Sequence, residues 1–143
     1  MLFRSSCEKD SSKIHDEAFV VDTHNDVLLR SLMGRDILTD LPESHSDLPK
    51  FKKGGMDLQV FAIWVSPNEF GEGDYYNRAN KMITQLEFLC SRVPNHWAIP
   101  FDYQDIIYND QKGILSCMIG VEGGHARSEE RLVGRECRSR WST

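Results

Sequence analysis

Leu58-Gln59-Val60-Phe61-Ala62-Ile63-Trp64-Val65 is nearly all apolar, with β-branched and aromatic side chains among its members, and Ser66-Pro67-Asn68 ends it. A run of this length and make-up reads as a strand covered on both faces, the habit of parallel sheets. A second run, Ile114-Leu115-Ser116-Cys117-Met118-Ile119-Gly120-Val121, has the same character and terminates in Glu122-Gly123-Gly124-His125. Between them, Ala79, Met82, Ile83, Leu86 and Leu89 mark one face of an amphipathic helix from about Tyr75 to Ser91, closed by Pro94. Asp102 is placed to cap a further helix with Ile106 and Ile107 inside it and Gly113 past its end. Upstream, the apolar strand Phe19-Val20-Val21 stops in the polar cluster Asp22-Thr23-His24-Asn25-Asp26. Val27, Leu28, Leu29, Leu32 and Met33 then fall at helical spacing up to Gly34. Residues 35–57, broken by Pro42, Pro49 and Gly54-Gly55, read as a long irregular loop.

Three strands alternating with helices predict right-handed crossovers and a parallel sheet with both faces covered, so the class is α/β. The first and third strands end in ionisable residues, at the edge where parallel α/β folds and TIM barrels place their chemistry. The 143 residues, 40% apolar and 27% charged, suffice for one globular domain. Seventeen Lys+Arg, scattered among twenty-two Asp+Glu for a net charge of -5, offer no phosphate-tracking surface, which excludes nucleic acid as a partner. The longest unbroken apolar run, Val60 to Val65, has six residues, where a spanning helix needs ~20, so no transmembrane segment is expected. Cysteines at 7, 90, 117 and 137 form no C-x-x-C pair and no zinc-finger spacing.

The ends differ from the middle. Arg127–Thr143 carries five Arg and three Glu without an apolar repeat, as a solvated tail does. It also resembles the translation of a common sequencing adapter, and Leu2-Phe3-Arg4-Ser5 resembles the same kind of adapter at the other end. On that reading residues 1–13 are a leader whose first five are an artefact, residues 14–126 are the folded part, and residues 127–143 are an unstructured artefact. With those two artefacts set aside, residues 6–126 hold eleven Lys+Arg against nineteen Asp+Glu and are acidic. Ser6-Cys7 and the polar stretch after it resemble the cleavage point and first mature residues of a bacterial lipoprotein, which would make the parent periplasmic or lipid-anchored. The alternative is an ordinary exposed cysteine in a flexible leader.

His24 and Asp26 stand at i, i+2, so on an extended strand both side chains point to one side and could grip one cation. A lone H-x-D is common by chance; its place at a strand end is what lends it weight. Glu122, after a wholly apolar strand and before two glycines, is a carboxylate that is costly to bury unpaired and able to bridge two cations. The bland reading of Glu122 is a helix cap or a surface turn acid. His45 and His125 are further candidates that read more simply as loop or packing histidines, and His15 and His96 carry no signal. No G-x-S-x-G, G-x-G-x-x-G, Walker loop or H-E-x-x-H occurs, which leaves metal chemistry on a barrel rim.

Three segments taken in order, Val21-Asp22-Thr23-His24-Asn25-Asp26, then Ser46-Asp47-Leu48-Pro49-Lys50 with Gly54-Gly55 and Gln59-Val60-Phe61, then Ile119-Gly120-Val121-Glu122-Gly123-Gly124-His125, resemble the membrane (renal) dipeptidase family of zinc peptidases. The resemblance covers about residues 14–126. It implies the N-terminal portion, about three β-α units, of a metallo-dependent hydrolase TIM barrel that carries two zinc ions. The residues matching His24 and Asp26 would bind one ion, and the residue matching Glu122 would bridge both. The implied activity is hydrolysis of the peptide bond of dipeptides by a zinc-bound hydroxide. Some members tolerate a D-residue at the C-terminal position, and the renal type opens some β-lactams.

The family's later elements, two zinc-binding histidines, a substrate-contacting histidine and an aspartate that assists proton transfer, have no counterpart in this chain. No catalytic residue beyond the metal ligands is therefore assigned. An incomplete barrel would expose a sheet edge and the apolar faces of Leu58–Val65 and Ile114–Val121, leaving the chain unstable and inactive alone. Two other readings stay open: another metal-dependent amide or ester hydrolase on the same barrel, and a non-catalytic truncated protein.

Overall fold

The structure, a computed structural model, describes residues 11–71 and 73–126. The expectations for Cys7 and the rest of the leader to residue 10, and for Arg127–Thr143, lie outside the described residues. The two apolar runs form strands β2 (Leu58–Trp64) and β4 (Leu115–Glu122), parallel and paired without a break from Leu58 with Ser116 to Trp64 with Glu122. Strand β1 (Val21–Asn25) lies beside β2, and the two-residue β3 (Trp97–Ala98) beside the start of β4. All pairings are parallel, in the order β1-β2-β4-β3, which is the α/β sheet that the alternation of elements predicts.

The helices are α1 (Ser11–Glu17), α2 (Val27–Leu32), α3 (Leu48–Lys53), α4 (Tyr75–Arg92) and α5 (Tyr103–Lys112), with a 3₁₀ turn at Gly124–Ala126. Helix α4 buries Ala79, Met82, Leu86 and Leu89, the expected stripe, in one core with Phe61, Ile63, Leu115 and Cys117 of the sheet. Phe51 of α3 extends that core, its ring 6.2 Å from Phe61 and 5.9 Å from Trp97. Asp102 caps α5 by accepting from the amide of Asp105 at 3.0 Å. Among the described residues no helix is long and apolar enough to cross a membrane.

The structure corrects the sequence reading at four places. First, β1 does not stop at the polar cluster but runs through it, while Phe19 is exposed. Backbone pairing to β2 carries the strand, and the amides of Asp57 and Leu58 hold the carbonyl of Val20 just before it. Second, residues 35–57 contain α3. Pro49 starts this helix rather than breaking a chain, because the first turn has no use for the amide that proline lacks. Third, β3 is too short for any periodicity to announce it. Fourth, the exposed apolar face expected on Leu58–Val65 is absent, since β2 is almost wholly buried, whereas the one expected on Ile114–Val121 is present at Met118 and Val121.

Gly120 shows how tightly β2 and β4 approach, since a Cβ there would stand 2.7 Å from Val60 Cγ1. Asp47 secures the segment leading into α3. Its buried carboxylate accepts from the amides of Lys50 at 2.9 Å and Leu41 at 3.0 Å, and from Lys50 Nζ, which also reaches Asp40. Burial pushes the Asp47 carboxyl up, but the bonds from Lys50 Nζ and the two amides outweigh it and hold the pKa below the ordinary value.

A lowered folded pKa stabilises the fold fully above the unfolded value, about pH 4 for aspartate, and that stability is lost as acid titrates the folded carboxylate. Asp47→Ala is expected to lower stability at neutral pH by about 1–3 kcal/mol and to flatten the acid limb. Urea unfolding at neutral pH and at about pH 3 measures both effects; an acid limb equally steep in the variant would assign it to other carboxylates.

Candidate metal centre

Paired residues in a parallel sheet point to the same side, and sides alternate along each strand. Phe61 and Ile63 face the helices, so Trp64 and its partner Glu122 face the other way, at the C-terminal rim. Strand β1 reaches that rim through an irregularity. Asp22 pairs with Gln59 and Asn25 with Phe61, three residue steps of β1 against two of β2. In a regular strand His24 would take the place beside Phe61 and face the helices. The extra residue, a β-bulge, puts Asn25 there and turns His24 toward Glu122.

The strand-alternation argument for His24 and Asp26 is corrected by this geometry. Asp26 lies past the end of β1, in the N-cap position of α2, and makes no side-chain cap hydrogen bond. Asn25 Oδ1 takes that duty by accepting from the Val27 amide at 3.0 Å, which leaves the Asp26 carboxylate free to turn to His24. A bulge and a strand-to-helix turn, rather than simple alternation, bring the two together.

His24 Nε2 lies 3.4 Å from Asp26 Oδ2 and 3.7 Å from Glu122 Oε2, and one donor atom from each residue falls within 4.8 Å of the other two. These spacings are long for good hydrogen bonds. They match ligands held about 2.1 Å from a tetrahedral ion, whose mutual separation is roughly 3.4 Å. One imidazole and two carboxylates suit a divalent cation that accepts mixed nitrogen and oxygen ligands. All three side chains are about half exposed, so the cleft is open to solvent. Leu29 and Trp64 complete its lining around about 330 Å³. Neither residue carries a chemical signal in the sequence, although Trp64 ends a strand as Glu122 does.

The other histidines stand apart. His125 donates from Nε2 to the Val65 carbonyl at 2.9 Å and packs edge-on against Tyr75, a packing role. Gly123, at φ +85°, leaves room for that ring, since a Cβ would lie 2.5 Å from His125 Cε1. His45 is exposed on a neighbouring cleft with Asp26, Arg30 and Ser46. His15 bonds the Gly54 carbonyl, and His96 accepts from Lys52.

Comparison with known proteins agrees with this architecture. The family model for membrane dipeptidase (peptidase family M19) matches residues 8–133. Dipeptidase 3 of Mus musculus is 29% identical over an alignment of 122 residues that covers 81% of this chain and 24% of that protein. The crystal structure of a dipeptidase AC, described as a metallo peptidase, aligns with a TM-score of 0.65 at 25% identity, over 76% of this chain and 36% of the other. A metallo peptidase from Rhodobacter sphaeroides, liganded with a phosphinate mimic of the dipeptide L-Ala-D-Ala, aligns with a TM-score of 0.63 at 22% identity, over 84% and 43% respectively. The chain thus spans about a quarter to two fifths of the length of these proteins.

The packing role of His125 yields a prediction. His125→Ala is expected to leave any divalent-cation affinity of the rim cluster unchanged and to lower stability by about 1 kcal/mol, the worth of one hydrogen bond. Titration with divalent cations and urea unfolding measure these separately, and a tenfold loss of cation affinity at an unchanged unfolding midpoint would make His125 a ligand.

Proposed function

The chain belongs to the membrane dipeptidase family, and from that premise we propose that the whole protein is a zinc-dependent dipeptidase whose barrel begins with residues 14–126 of this chain. In this reading His24 and Asp26 hold one zinc ion and Glu122 is shared between two, with the remaining ligands supplied by later strands. The spacing of the three donor atoms at the rim, where His24 Nε2 stands 3.4 and 3.7 Å from the two carboxylates, carries the proposal. The dipeptidases among its relatives support dipeptides as the substrate class.

Zinc, when bound, supplies a Lewis acid that polarises the scissile carbonyl and makes water reactive near neutral pH. The chain's own residues prepare the place for it. Two carboxylates beside an imidazole bring negative charge and mixed oxygen and nitrogen donors to the place where a dication would sit. Glu122 ends a strand fixed on its β2 side by seven register pairs, which gives a carboxylate on a rigid support. Trp64 and Leu29 add apolar wall next to the donors, against which an uncharged substrate side chain can rest.

In the whole protein, Glu122→Gln is expected to cut dipeptide hydrolysis at least about 100-fold by weakening a shared ligand. Steady-state turnover of L,L- and L,D-dipeptides, with zinc content measured alongside, tests this. Full activity in the variant would sink the site assignment. A zinc-loaded wild type that leaves every dipeptide intact but cleaves other amides or esters would reassign the substrate class.

A further inference from the structure

The bulge that aims His24 is itself held by side chains with no place in the metal site. Inserting a residue into β1 takes the His24 amide out of the ladder with β2, and such a group needs another partner. Asp22 provides it, accepting from the His24 amide through Oδ1 at 3.0 Å. Its Oδ2 receives the side-chain amide of Asn25 at 3.4 Å. Asn25 Nδ2 also reaches Ser46 Oγ at 3.0 Å, on the segment before α3, while its Oδ1 caps Val27 at the start of α2. On the other side, the buried Gln59 donates to the Asp22 carbonyl at 3.3 Å, fixing the residue where the register changes.

We infer that Asp22 and Asn25 are positioning residues: together they hold the β1 bulge so that His24 and Asp26 converge on one cation, with Ser46 tethering Asn25 from the neighbouring segment. The inference rests on the metal-site reading and deepens it. Neither residue is a ligand in this account. Asp22 acts through the backbone of His24. Asn25, standing between the two donors, relieves Asp26 of capping and pins the turn. Without Asp22 the His24 amide loses its partner, and the strand is free to return to regular pairing with His24 facing the helices.

The experiment is a zinc titration against a competing chromophoric chelator, performed on the whole protein. Thermal unfolding of the metal-free forms is recorded in parallel. Asp22→Ala and Asn25→Ala are each expected to weaken zinc binding by about 10–100-fold, the range seen when partners that orient ligands are removed. Asp22→Asn keeps an oxygen for the His24 amide and is expected to restore affinity to within about threefold of wild type. Ser46→Ala, which removes only the tether, is expected to show a smaller loss with an unchanged unfolding midpoint, and it decides the matter where the other variants do not fold.

His24→Ala separates the two levels of the claim. Zinc affinity lost in His24→Ala but untouched in Asp22→Ala, Asn25→Ala and Ser46→Ala overturns the positioning role alone. Affinity that falls only in step with the unfolding midpoint and is not rescued by Asp22→Asn also overturns it. Zinc binding that is absent in wild type, or indifferent to His24→Ala, overturns the metal-site reading and the positioning role with it.

Discussion

The unbroken register between β2 and β4 is the constraint on which the rest of the chain depends. Seven consecutive pairs leave no freedom in where β4 ends relative to β2, so Glu122 arrives beside Trp64 at the rim. Parallel pairing at this closeness requires small side chains at one level, and Gly120 beside Ala62 meets that need where a Cβ would strike Val60. Against this fixed ruler β1 departs by a single residue. That departure is what turns a histidine from the helix-facing side of the sheet to the side of Glu122. A one-residue change of register exchanges the two faces of a strand, which makes it an economical way to place one ligand.

The acids of this chain divide by what satisfies them. Asp47 is buried, and its oxygens are taken up by two amides and the ammonium of Lys50, so its charge is spent on structure. Asp36 pairs with Arg92 of α4 at 3.1 Å, and that partner holds its carboxyl below the ordinary value. Asp22 is committed to the bulge. Asp26 and Glu122, by contrast, stand at the rim beside the His24 imidazole, at distances too long for strong hydrogen bonds. Carboxylates gathered in this way repel one another, and a divalent cation relieves that repulsion.

Much of this was legible in the sequence. The apolar runs at Leu58–Val65 and Ile114–Val121 announce parallel strands because their composition leaves no polar face; β2 is buried nearly throughout, β4 only over Leu115–Cys117. The stripe from Ala79 to Leu89 announced α4 because its spacing matches a helix turn. The strand-end positions of His24 and Glu122 and the H-x-D spacing to Asp26 single out three residues whose donor atoms lie within 4.8 Å of one another. Other features depend on partners that a local window does not contain. The bulge in β1 exists only relative to β2, and β3 is held by pairing with the start of β4. Helix α3 was hidden because Pro49, read as a breaker, occupies the first turn, where proline is welcome.

The central claim, that the bulge in β1 and the end of β4 build one metal site, is tested most directly by locating the ion. An anomalous difference map at the zinc edge, from crystals of the zinc-loaded whole protein, would show it. The expected result is a peak about 2.0–2.2 Å from His24 Nε2 and from carboxylate oxygens of Asp26 and Glu122. Zinc bound elsewhere, with His24 facing the helices or Glu122 outside the coordination sphere, would contradict the claim.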